Sequence, residues 1–116
     1  MKTTTQLLSN KGNGIGTHFV GYITATRQEL ENTFGDCLYG SADDKVQYEW
    51  SLDLLFQDRF IVATIYDWKE DSKLEMNQKY RWHVGGQSAD AVAAVADLLL
   101  EAGFSFSHTS PFPAGN

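Results

Sequence analysis

Hydrophobic and polar residues alternate strictly along "VQYEWSLDL", residues 46–54. Val46, Tyr48, Trp50, Leu52 and Leu54 fall on one side, and Gln47, Glu49, Ser51 and Asp53 on the other. A period of two is that of a β-strand with one buried face. "FQDR" (56–59) is short enough for a hairpin, and "FIVATIY" (60–66), apolar on both sides, reads as a central strand. "KYRWHV" (79–84) alternates again, with Tyr80, Trp82 and Val84 pointing one way and Arg81 and His83 the other. Upstream, "THFVGYI" (17–23) is aromatic and β-branched and predicts the first strand.

Two segments carry helical signals. In "TRQE", Thr26 and Glu29 have the spacing of a capping box; Leu30 and Phe34 share a face, and Gly35 stops the helix with a left-handed cap. The second helix covers roughly 89–102, capped by Ser88 and closed by Gly103, after Gly85 and Gly86 break the preceding strand. "DCLYGSADDK" (36–45) and "DWKEDSKLEMNQ" (67–78) read as polar connections. The order β-α-β-β-β-α with short links predicts a two-layer α+β fold: a mainly antiparallel sheet of about four strands, with the helices packed on one face. Residues 1–16, ending in "KGNGIG", read as a flexible lead; 17–104 form a single α+β domain, and 105–116 a C-terminal tail.

The second helix changes this picture. Only Asp90, Asp97 and Glu101 interrupt an otherwise apolar surface, narrower than the polar side of a helix lying on one sheet face. Its flanks call for a further cover, either the aromatic tail with Phe104, Phe106 and Phe112 or a second subunit, so a homo-oligomer is expected.

Charge and composition narrow the partners. The 116 residues carry a net charge of −6, and such a surface repels phosphate backbones, so direct nucleic-acid binding is not expected. The single cysteine, Cys37, allows neither an internal disulfide nor a cysteine zinc site, which fits a reducing cytoplasm. No apolar run is long enough to span a bilayer.

The segments "GYITATRQELENTFG", "ADDKVQYEWSLDL", "VATIYDWK" and "WHVGGQSADAVAAV", in that order over roughly residues 20–100, resemble a family of small proteins encoded by tailed bacteriophages. The longer lead and the aromatic tail depart from that family's pattern. The resemblance implies a phage origin and action in the cytoplasm of the infected host; it assigns no catalytic residue.

Candidate chemistry centres on "YRWHVGGQS" (80–88). A lone histidine on a strand is more often structural than catalytic, and His83 lacks a readable nucleophile, although Glu49 and Asp53 could approach it if their faces coincide. His18 and His108 stand far from it with no metal-ligand spacing, so neither a metal nor a cofactor is expected. "GGQS" before a helix presents free amides to an anion, but a tight turn with positive φ at Gly85 or Gly86 accounts for it equally. If an anion binds, Gly85, Gly86 and Ser88 would cradle it, Arg81 and His83 would contact it, and Tyr66, Trp68 or Trp82 would stack on an attached ring. Three functions compete. The first is a non-enzymatic phage protein that counters host defence by sequestering a small anionic, nucleotide-type ligand. The second is an acidic inhibitor of a host defence protein, and the third a small enzyme of unknown reaction.

Overall fold

The computed structural model describes residues 5–39, 46–68, 74–104 and 109–111. Four long strands form the middle of one antiparallel sheet: β2 (His18–Thr26), β4 (Tyr48–Phe56), β5 (Arg59–Tyr66) and β6 (Lys79–Gly86). Three short strands flank them: β1 (Gln6–Ser9), β3 (Leu38–Tyr39) and β7 (Thr109–Pro111). The sheet order is β1-β4-β5-β6-β2-β7, and β3 also pairs with β4. Helices α1 (Arg27–Phe34) and α2 (Asp90–Glu101) join a single hydrophobic core with one face of this sheet. The fold is therefore the α+β class that the alternation predicts, with the β4-β5-β6 meander in place.

The periodicity of β4 translates directly into burial. Tyr48, Trp50, Leu52, Leu54 and Phe56 are all buried on the helix-bearing face. The β4–β5 turn holds only Gln57 and Asp58, with φ of 51° and 64°. Positive φ at both positions is the type I′ pattern that suits the right-handed twist of a two-residue hairpin. At α1, Thr26 Oγ1 accepts from the Glu29 amide at 3.0 Å, and Glu29 Oε1 accepts from the Thr26 amide at 2.8 Å. The capping box is closed on both sides, and Leu30 and Phe34 are buried below it. Gly35 ends α1 at φ 86° and ψ −166°, positive in φ but outside the left-handed helical well.

Several expectations are corrected. The lead before residue 17 contributes β1, paired with Leu55, Leu54 and Asp53. Its glycines then form a packed strap: Gly12 contacts Asp53, and Gly14, at φ 69°, lies over Thr64 and Ser51. Gly85 and Gly86 do not break β6; both belong to it, neither adopts positive φ, and they pair with Phe19 and His18. Close approach is what requires them. A Cβ on Gly85 would collide with Thr64 Oγ1, and a Cβ on Gly86 with Cβ of Ala91 in α2. Ser88 is not the formal cap of α2, a position held by Ala89, yet its Oγ accepts from the Asp90 amide at 3.2 Å.

The apolar surface of α2 is covered only in part within the chain, and Leu100 stays exposed. Thr5, itself buried, donates from Oγ1 to Asp97 at 3.0 Å, and Phe104 packs against the core. Part of the connection expected at 36–45 is β3, while 40–45 and 69–73 lie outside the described residues, as do Phe106 and Phe112 of the tail. Among the described residues no helix is long and apolar enough to cross a membrane.

Candidate ligand-binding face

The face of the sheet opposite the helices takes its character from register. Glu49 on β4 lies opposite Tyr66 on β5, Tyr66 opposite His83 on β6, and His83 opposite Tyr22 on β2. This is one row of side chains across four strands. The next row toward the strap holds Ser51, Thr64, Gly85 and Phe19. In the row on the far side, Arg81 pairs with Thr24. A β-bulge between Phe19 and Gly21 inserts one residue into β2. Without it, Phe19 and Tyr22 would point to opposite faces; with it, their rings meet at 4.9 Å.

His83 is the hub of the row. Its ring stacks on Tyr66 at 5.4 Å and 26°, meets Tyr22 edge-on at 5.1 Å, and touches Phe19 at 5.0 Å. Trp68 lies 6.4 Å from His83 and 6.5 Å from Tyr66, and it is 41% exposed. Arg81 places its guanidinium over the Tyr22 ring at 4.0 Å. His83 Nδ1 is buried and finds no hydrogen-bond partner among the described residues. Burial lowers the His83 pKa below its ordinary value; the Arg81 charge lowers it further, and Asp67 opposes both. Burial, helped by Glu49 and Tyr22, raises the Tyr66 phenol. At neutral pH the row therefore carries a neutral imidazole and a protonated phenol, set between the Glu49 carboxylate and the Arg81 cation.

The structure divides the residues singled out from sequence. It brings Tyr66, Trp68, Arg81 and His83 together on the open face, and Gly85 passes beneath them. Trp82 is removed from any stacking role: it is fully buried on the helix side, packed edge-on against Trp50 at 5.4 Å, and its Nε1 donates to the Ala25 carbonyl at 3.0 Å. An alternating strand cannot present Trp82 and His83 to the same side. The start of α2 is also distant from Arg81, since five residue steps along the strand carry Arg81 to Gly86, about 17 Å. The guanidinium beside Ser88 is that of Arg59, which pairs with the Asp90 carboxylate. The cleft there, lined by Arg59, Val62, Gln87 and Ser88, measures about 110 Å³, well below the ~300 Å³ of a small-molecule site.

Three contributors were not legible as site residues. Tyr22 and Phe19 join the face only because β2 pairs with β6, which no local periodicity reveals. Asp67, next to Tyr66, is fully buried: its Oδ1 accepts from the amides of Gln47 and Tyr48 at 2.7 and 2.8 Å, while Oδ2 has no partner. Its carboxylate clamps the start of β4 to the end of β5 and so fixes Tyr66 and Trp68 on either side of it. Among the described residues no group of three or more His, Cys, Asp or Glu side chains is placed to hold a metal ion. Comparison with protein-family models, with curated proteins and with solved structures gave no match.

Proposed function

We propose that this protein is a non-enzymatic binder of a small anionic ligand carrying a flat ring, of the nucleotide type, held on the open face around Tyr22, Tyr66, Trp68, His83 and Arg81. One observation carries the reading: rings from three different strands and a guanidinium converge on a sheet face that, among the described residues, no helix covers. Aromatic rings offer stacking surface to any base, worth about 1–3 kcal/mol each, and a guanidinium suits a phosphate.

His83 favours binding over turnover. A general base is oriented by a hydrogen-bonded partner and sits within reach of a nucleophile, whereas Nδ1 here has no partner among the described residues and is packed among rings. The resemblance to tailed-phage proteins supplies a setting, the cytoplasm of an infected host, where sequestering a nucleotide signal would blunt defence. We place a homo-oligomer in the same proposal, because Leu100 on α2 remains 56% exposed; a monomer mass in light scattering at high micromolar concentration would remove it.

Calorimetry with cyclic nucleotides and ADP-ribose derivatives tests the binding. A charge-assisted hydrogen bond contributes about 1.5–3 kcal/mol, so Arg81→Ala is expected to weaken binding roughly tenfold to a hundredfold. Affinity is expected to fall as salt rises. If no nucleotide binds and native mass spectrometry of protein from infected cells shows a host protein attached, the acidic-inhibitor reading replaces this one. A hydrolytic activity lost in His83→Ala would overturn the non-enzymatic assignment.

A further inference from the structure

The aromatic patch is bracketed by opposite charges, and the bracket selects among bases. Glu49 stands at the β4 end of the central row, and Arg81 lies two strands away and one row along. Two strand spacings and one two-residue step separate their Cα positions by about 12 Å. The guanidinium itself lies one strand further, over the Tyr22 ring on β2, and a mononucleotide with its base edge at Glu49 extends its 5′-phosphate toward it. Glu49 is also held in place: Ser51 Oγ donates to Glu49 Oε2 at 3.0 Å. Ser51 is itself buried beneath the strap at Gly14.

An ionised carboxylate only accepts hydrogen bonds. Guanine presents two adjacent donors on its pairing edge, N1–H and the exocyclic amino group. Adenine presents an acceptor at N1, which a carboxylate repels, and hypoxanthine keeps N1–H but lacks the amino group. Resting on the binding reading above, we infer that the favoured ligand is a guanine-type nucleotide, its ring against Tyr66 and Trp68, its two donors on Glu49 and its phosphate on Arg81.

Calorimetry of the wild-type protein with GMP, IMP and AMP reads this directly and needs no variant that must fold. GMP is expected to bind about tenfold more tightly than IMP, for the loss of one bond to a charged acceptor, and more tightly again than AMP. In Glu49→Gln, GMP affinity is expected to fall and AMP affinity to rise, because the amide no longer repels adenine N1 and can donate to it, so the preference for GMP over AMP is lost. Equal binding of the three nucleotides, a preference for AMP, or an unaltered GMP affinity in Glu49→Gln overturns the guanine assignment and leaves nucleotide binding standing. If none of the three, and no other nucleotide, binds wild type, the binding reading fails and this inference fails with it.

Discussion

Strand β6 feeds two aromatic clusters, one through each face of the sheet. On the inner face Trp82 meets Trp50 edge-on at 5.4 Å, and both are at most 1% exposed. Each indole nitrogen there has a partner: Trp50 donates to the Gly35 carbonyl at 2.8 Å and Trp82 to the Ala25 carbonyl at 3.0 Å. On the outer face His83 gathers Tyr22, Tyr66, Phe19 and Trp68, yet its Nδ1 has no partner among the described residues and Trp68 remains 41% exposed. Native interiors pair nearly all their buried polar atoms, and exceptions concentrate where a protein works. The inner cluster is closed by its own chain; the outer one leaves rings, a cation and a carboxylate in reach of something else.

The largest effect comes from exchanging the two kinds of tryptophan. Trp82→Ala removes a fully buried indole and the hydrogen bond it donates to the Ala25 carbonyl, so a loss of about 3–5 kcal/mol is expected in urea unfolding. Trp68→Ala removes a half-exposed ring and is expected to cost less than about 1 kcal/mol, and on the proposed binding role to weaken nucleotide affinity. Similar losses in the two variants would erase the distinction between a packing cluster and a recognition cluster.

Two smaller effects sharpen it. Asp67→Ala strips the amides of Gln47 and Tyr48 of their acceptor, and a loss of about 2–3 kcal/mol is expected, read by thermal unfolding. Gly86→Ala pushes a methyl into Ala91, so α2 must lift from the sheet, at about 1–3 kcal/mol. Gly85→Ala strikes Thr64 on the other face, next to Tyr66, which the new methyl only touches, so it is expected to disturb the outer cluster's tyrosine signals by displacing Thr64, whereas Gly86→Ala disturbs the core. Nuclear magnetic resonance shifts of the Tyr66 and Trp82 rings separate the two.

The inner face was legible in the sequence because burial imposes a period that a single strand displays by itself. Trp50, Leu52 and Leu54 alternate with Ser51 and Asp53, and the capping box of Thr26 and Glu29 is a local device four residues long. The outer face was legible only in part. Arg81 and His83 share a side by alternation, but their partners come from β2 and β5, and pairing between distant strands leaves no periodic trace. The two glycines misled for a related reason. A glycine needed for close approach looks, in sequence, the same as one needed for positive φ. Only Thr64 on one side and Ala91 on the other tell them apart. The strap was read as a lead because its glycines answer to Asp53 and Thr64, some forty to fifty residues away in the chain.

The smallest effect expected is a pH dependence carried by His83. The groups that face it are Tyr22 from β2, Tyr66 from β5 and Arg81 on its own strand, with the Asp67 charge nearby. Burial first, then Arg81, hold its folded pKa below the ordinary value of about 6.5, against the pull of Asp67. Between those two values the unfolded chain binds the proton and the folded protein does not. Stability therefore falls as pH drops below about 6.5, and the loss levels off once pH passes beneath the folded pKa. Unfolding in urea at pH 7 and at pH 5 measures it, with His83→Phe as the reference that keeps the ring and removes the titration. The slope is expected to be smaller in His83→Phe than in wild type. In Arg81→Met it is expected to shrink as well, because losing the neighbouring cation lets the folded pKa rise toward its unfolded value. A slope unchanged in His83→Phe would mean that the outer row is as indifferent to charge as the inner one. The proposed nucleotide binding would carry the opposite sign: a phosphate placed near His83 favours the imidazolium, so on that proposal ligand affinity is expected to strengthen over the same pH range in which the free protein weakens.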